Sequence, residues 1–217
     1  MGFNRPALTS TLIRGALALS LIGALPPVLA QSAQAAPSVA NAAQTNADAD
    51  APRSFGLLRG KFPFTLPSSY VGRELLARSG PPDSGNSWAT MYLSDEDRQI
   101  VVVSEARNPS GTQVGDNDNI FLTGSGVGYN RQQQRAHPDY KVISEKTIVI
   151  GGLGMRRIEA TDIIDGSAAL STALLAASGS TLAVVQVISG VKDRAKHDAL
   201  VARVLAGGAH GESPAAQ

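Results

Sequence analysis

The chain has 217 residues, 43% of them hydrophobic and only 5% aromatic, with 22 glycines and a formal net charge of +1. That length suits one domain with a real hydrophobic core and would cramp two, and near neutrality excludes the concentrated basic face of a nucleic-acid binder. With no cysteine, disulfides, thiolate metal sites, thiol nucleophiles and lipid acylation are excluded as well.

Residues 1–35 have the form of a secretory signal peptide. Arg5 and Arg14 supply a positive segment, Gly15–Leu25 an apolar run, and Pro26-Pro27 break it. Ala33-Gln34-Ala35 then places small residues where a signal peptidase reads, with Val28-Leu29-Ala30 as an earlier alternative. The competing readings are an uncleaved anchor or a buried helix, but the run is shorter than the ~20 residues that span a bilayer. Cleavage near Ala35 implies a periplasmic or secreted product with no membrane span, and its formal charge falls to −1 once Arg5 and Arg14 are gone. Residues 36–54 form a Pro/Ala/Asn/Asp tract without apolar periodicity, which reads as a disordered linker. Residues 207–217 read as a disordered tail, leaving 55–206 as the single folded domain.

Within that domain, Phe62, Phe64 and Leu66 alternate with Pro63, Thr65 and Pro67. The pattern is a half-buried strand, and the prolines confine it to an edge or a strand end. Tyr70–Ala77 fits either a helical turn or a strand, and Gly80–Asn86 is a loop. Ser87–Leu93 and Arg98–Glu105, joined by Ser94-Asp95-Glu96-Asp97, predict an antiparallel hairpin. Asn108–Asn119 is a loop, and Asp118 is placed to cap a helix over 118–135. The helical spacing of Ile120, Phe121, Gly124, Val127, Gly128 and Arg131 suggests the face that packs on the sheet, with Gly124 and Gly128 as its smooth stripe.

Tyr140–Ile150 and Met155–Ile164 have strand composition, with Gly151–Gly154 between them as a bulge or turn. Asp165-Gly166 is a hairpin turn. Ala168–Ala177 fits helix and strand alike; the turns on both sides decide for strand. Thr181–Ser189 (TLAVVQVIS) carries apolar, β-branched residues on both faces and reads as a strand covered on both sides. Gln186 is its one polar interior residue. A closing helix over 193–206 puts Leu200, Val201, Val204 and Leu205 on one stripe, with Gly207-Gly208 as its stop. The fold class is α+β, an antiparallel sheet of about six to seven strands with helices packed on it.

The order of these elements, together with Phe62, Phe64, Pro67, Tyr70, Trp88, Gly152 and Arg156, resembles the PsbP-like α/β sandwich. That group includes photosystem extrinsic subunits, Ran-binding Mog proteins and periplasmic DcrB-type proteins. The resemblance covers roughly Phe62–Leu205 and implies a binding or accessory protein with no shared catalytic residues. Several exported relatives are lipoproteins, and this chain departs from them in lacking the lipobox cysteine.

Chemistry-bearing residues are few. His137, with Asp139 two residues on, and His197, beside the apolar stripe of the last helix, are the two histidines available to a hydrolase; no G-x-S-x-G elbow accompanies either. The third, His210, falls in the tail. Asp116-Asn117-Asp118-Asn119 begins like a calcium loop but lacks the next ligand, the glycine and the distal Glu of an EF-hand; a looser site on Asp116 and Asp118 is the alternative. Gly151-Gly152-Leu153-Gly154 leads into a strand, so it is no phosphate cradle. Arg131, Arg135, Arg156 and Arg157, with His137, are the candidate contacts for an anionic ligand or partner, and no metal or cofactor is implied. The sequence therefore predicts an exported binding or accessory protein that meets another envelope or extracellular protein, with a lipidic or anionic small-ligand carrier and a small hydrolase as alternatives. The expected contact surface is a loop-rich end made by Gly80–Asn86, Asn108–Asn119 and Gly151–Gly154.

Overall fold

The computed structural model describes residues 52–76, 87–108 and 111–209. The signal-peptide segment, most of the linker, the Gly80–Asn86 loop and His210 lie outside them.

Among the described residues, nine strands form two sheets, and two long helices accompany them. β1 (Arg53–Leu57) and β2 (Phe62–Leu66) make a two-stranded hairpin. The other seven are β3 (Val71–Leu76), β4 (Trp88–Ser94), β5 (Gln99–Arg107), β6 (Lys141–Ile150), β7 (Leu153–Ile164), β8 (Ser167–Ser178) and β9 (Thr181–Gly190). They form one antiparallel sheet in the order β3-β4-β5-β9-β8-β7-β6. β9 is thus the middle strand, as its two apolar faces require. The segment around Tyr70–Ala77 is the edge strand β3, and Ala168–Ala177 lies inside β8.

The turns explain the meander. Asp165 and Gly166 both have positive φ, 49° and 74°, the requirement of the type I′ turn that matches strand twist. Gly151 and Gly152 do the same between β6 and β7, at 55° and 78°. The Gly151–Gly154 segment is therefore a tight hairpin turn and not a bulge; Ile150 pairs directly with Leu153.

Helix α1 (Asn119–Ala136) starts where Asp118 accepts a hydrogen bond from the Phe121 N–H at 2.9 Å, satisfying one of the helix's free donors. It lies over β6, β7 and β8. Of the face expected to pack, Phe121 does so, against Val114, Leu122 and Ala177, but Ile120 is 88% exposed and Gly124 faces open space. Leu122, Gly126 and Tyr129 have the same i, i+4, i+7 spacing and point to the sheet, where Tyr129 packs against the cluster of Ile158, Ala173 and Leu175. Gly126 is needed there. A Cβ on it would stand 2.6 Å from Glu145 Oε1 and 3.3 Å from Arg156 Cγ.

On the opposite face lie β2 and helix α2 (Arg194–Ala209), which follows a 3-10 turn at Val191–Asp193. Phe62, Phe64 and Leu66 are fully buried with Leu200, Val201 and Val204, against Val101, Val103, Val185 and Val187 of the sheet. Each such large side chain contributes roughly 1.5–3 kcal/mol on burial. Phe55 stacks on Phe64 at 4.5 Å and meets Tyr92 edge-on at 5.1 Å, fastening the hairpin to the sheet.

Both expected limits of the domain move outward. β1 begins at Arg53, inside the tract read as linker, because its pairing with β2 supplies what its own sequence lacks. α2 runs through Gly207-Gly208 to Ala209. Gly207 is no stop signal but a point of close approach, since a Cβ there would lie 2.5 Å from both Pro63 O and Phe64 Cα. Gln186 of β9 is buried and donates to Ser171 Oγ at 2.9 Å, so its amide is satisfied from β8 as burial demands.

Candidate binding groove at one end of the sheet

The ends of β5 and β8, the start of β9 and the β1–β2 hairpin enclose a groove of about 800 Å³, within the size range of ligand sites. Its floor is set by Glu105, the last acidic residue of the apolar strand β5. Hairpin register places Glu105 opposite Trp88, on the same face. One carboxylate oxygen accepts from Trp88 Nε1 at 3.1 Å and the other from the Leu58 N–H at 2.5 Å. Both oxygens of Glu105 are thus committed to structure.

What Glu105 holds is a strained turn. Leu58 and Arg59 have φ of 54° and 58°, followed by Gly60 at 88°, and the Gly60 N–H closes the turn on Leu57 C=O at 3.0 Å. A left-handed backbone at an ordinary L-residue costs roughly 1–2 kcal/mol. Strain of this kind persists only where the surroundings over-determine it, and it gathers at ligand clamps. Here Leu58 is buried and Arg59 projects outward at the groove wall.

The second wall is organised by Asp116. It accepts from Lys61 Nζ at 2.7 Å and from Ser178 Oγ at 2.6 Å, and these bonds, that of Lys61 first, hold its carboxyl below the usual carboxylate range. The pair is half-exposed, so it contributes at most ~1 kcal/mol; its effect is to join the hairpin to β8. The Asp116 C=O also accepts the Gly154 N–H at 2.8 Å. Two of the three loops expected at a contact surface, Asn108–Asn119 and Gly151–Gly154, therefore do meet at this end. Asp116 and Asp118 serve as a tether and a helix cap.

The arginines selected from sequence do not converge. Arg156 and Arg157 are adjacent in β7 and must face opposite sides of the sheet. Arg156 pairs with Glu145 at 2.8 Å under α1, and Arg157 with Glu159 at 2.6 Å on the α2 side. Arg131 and Arg135 are exposed on α1. His137 is the C-cap of α1 and pairs with the buried Asp162 at 3.2 Å.

His197 is only 2% exposed. Its Nδ1 meets Ser189 Oγ at 2.7 Å and its Nε2 meets Thr172 Oγ1 at 2.8 Å. Burial pushes its pKa down, so the neutral ring bridges β8 and β9. Nearby, Tyr70 donates its hydroxyl to Gln99 Oε1 at 2.5 Å. His137, His197 and Gln99 all belong to the opposite end of the strands from Glu105 and Ser178. Six residues of strand put about 20 Å between the two ends.

Glu105, Lys61 and the Leu58–Arg59 turn were not legible as a site from sequence. The one available signal was the Trp88–Glu105 pairing, which the predicted hairpin fixes once its turn is placed.

No protein-family profile matches the chain, and no curated protein matches it in sequence. Among solved structures, cyanobacterial PsbP (CyanoP) from Synechocystis sp. PCC 6803 superimposes with a TM-score of 0.53 at 11% identity, over 75% of this chain and 94% of that one. The chain has a PsbP-like fold. A Pseudomonas aeruginosa protein of unknown function is also similar, with a TM-score of 0.38 at 12% identity over 76% of this chain and 99% of its own. Among the described residues no helix is long and apolar enough to cross a membrane.

Proposed function

We propose that the chain is an exported, non-catalytic binding or accessory protein of the cell envelope and that the groove is where it meets its partner. The observation that carries this reading is the groove itself: a preorganised concavity whose turn is strained, whose carboxylates are already committed, and whose charged wall is presented by Arg59. Catalysis finds less support. Along the strands His197 stands about 20 Å from the groove, and His137, paired with Asp162 opposite Ala169, about 30 Å; one is buried between two hydroxyls and the other caps a helix. A lipid carrier would need room between helix and sheet, where Phe62, Phe64 and Leu66 are packed. Export rests on the signal-peptide form of residues 1–35, with cleavage near Ala35 and release to the periplasm or beyond.

The test is site-specific photo-crosslinking in intact cells, with the probe at Gln113 in the groove or at the exposed Lys192 outside it. A discrete envelope product from Gln113 alone is expected, together with loss of the N-terminal segment from the mature chain. Equal products from both positions, or the uncleaved chain in the membrane fraction, would overturn the reading.

A further inference from the structure

The groove presents an open strand edge as well as side chains. Pro63 has no N–H, so its pair with Gly56 must be one of the non-hydrogen-bonded pairs of the β1–β2 ladder. Alternation then makes Arg53–Leu66, Phe55–Phe64 and Leu57–Phe62 the bonded pairs. It also turns the N–H and C=O groups of Ser54 and Gly56 away from β2. β1 pairs with no strand but β2 among the described residues, and Ser54 and Gly56 both line the groove. These four backbone groups repeat every two residues, about 7 Å apart, which is the spacing of a strand's own outward groups.

Charge selects the occupant. Glu105 and Asp116 have their carboxylates engaged by Leu58, Trp88, Lys61 and Ser178. Arg59 has no ion pair among the described residues, and Arg53 lies 5.6 Å from the Tyr92 ring centroid with no carboxylate partner there either. Glu105 keeps its charge, since both of its donors are neutral. Arg53, Arg59 and Lys61 against Glu105 and Asp116 leave this end one positive charge in excess among the described residues, carried by the two ion-pair-free arginines at the ends of the edge.

We propose that β1 takes an acidic, extended segment of a partner protein as a third strand of the β1–β2 sheet, main-chain bonds supplying affinity and Arg53 and Arg59 the preference for acidic side chains. This rests on the groove being the binding end and adds how it binds.

The probe is the peptide acetyl-Glu-Val-Glu-Val-Glu-amide, titrated into the full-length, isotopically labelled chain. Hydrogen exchange at the Ser54 and Gly56 amides should slow, while that at Phe55 and Leu57, already bonded to β2, stays unchanged. Ser54→Pro removes an outward donor that the hairpin does not use, and should weaken binding about tenfold or more with the melting temperature retained. Arg59→Glu should weaken it about tenfold in low salt, with little difference left at high salt. Should Ser54→Pro fail to fold, N-methylation of the peptide gives the same answer: methylating residues of one alternate set abolishes binding, and methylating the other set leaves it. Equal binding by both methylated peptides, undiminished binding to folded Ser54→Pro, or unaltered exchange at Ser54 and Gly56 would overturn the proposal. So would a homodimer that Ser54→Pro dissolves, since the occupant would then be a second copy. A partner crosslinked at Gln113 whose capture ignores Ser54→Pro refutes this inference alone, whereas no product at Gln113 refutes the groove reading beneath it.

Discussion

Replacing His197 by Gln separates a stability effect from a pH effect at one buried position. The ring is bonded on both sides, to Ser189 at 2.7 Å and Thr172 at 2.8 Å. A glutamine amide can reach one of those hydroxyls and not both. One buried hydrogen bond lost is about 1 kcal/mol, with more if the freed hydroxyl stays unsatisfied, so about 1–2 kcal/mol of destabilisation is expected at pH 7.5. Burial is the main cause that lowers the His197 pKa below 6.5; Asp198 and Glu159 oppose it, and Arg194 and Arg157 assist. In the unfolded chain the imidazole takes up a proton as pH falls through about 6.5, while in the folded chain it stays neutral. The unfolded state then binds more protons, and stability falls with pH from about 6.5 down to the lower folded-state value, where the loss levels off. The Gln variant lacks this contribution. Its stability deficit relative to wild type should therefore shrink between pH 7.5 and pH 5, by about 1.4 kcal/mol for each unit of depression. Urea unfolding of both proteins at the two pH values measures it, and all other titrations cancel in the difference. Parallel profiles would refute the account of His197 as a neutral bridge.

Three further outcomes follow from the geometry. Glu105→Ala removes the acceptor of two bonds, so a loss of about 2–3 kcal/mol is expected after allowing for partial exposure and relief of strain at Leu58 and Arg59. Because Trp88 is the only tryptophan, its emission should shift in the same variant, and an unchanged spectrum would contradict the bond to Nε1. Gly207→Ala should destabilise by about 1–3 kcal/mol through collision with Pro63 and Phe64, whereas Gly124→Ala, which meets open space within a helix, should stabilise by up to ~1 kcal/mol; thermal melts of the pair decide it. Asp118→Ala should cost about 1 kcal/mol by uncapping α1, and the same substitution at the exposed Asp139 should leave the melt unchanged.

The seven-stranded sheet was legible because its signals are local. Asp165-Gly166 fixes a hairpin by backbone chirality, and with the turn at Gly179 it forces Ala168–Ala177 into a strand against its helical composition. β9 declared itself by β-branched residues on both faces. α1 was legible as a helix but not in its orientation. Ile120, Gly124 and Val127 share the periodicity of Leu122, Gly126 and Tyr129, and only the Glu145–Arg156 pair beneath Gly126 distinguishes them. β1 carried no signal of its own, since two of its five residues are Arg53 and Ser54 and its order comes from pairing with β2. The groove was hidden for the same reason: Lys61 and Asp116, or Leu58 and Glu105, meet across long stretches of sequence.

Most of the buried polar side chains among the described residues lie toward one end of the strands, with Asn108 buried at the other. At the Gln99–Ser189 end, the imidazole of His197, the amide of Gln99 and the hydroxyls of Tyr70, Thr172 and Ser189 are sealed under α2. Buried polar groups tolerate little rearrangement, because leaving one unpaired costs about 1–3 kcal/mol; Gln99 Nε2 already has no partner there, so it is the doubly bonded His197 ring that holds that end. At the Glu105–Ser178 end the bonds of Lys61 and Asp116 are exposed and weak, and the turn they flank is strained. A partner arriving there meets a loop held by one carboxylate and one surface ion pair, on a strand whose far end cannot move. Pairing along their whole length sets the register of β5, β8 and β9, while β1 takes its register from β2 alone, so the groove is built on strands fixed at the end away from it.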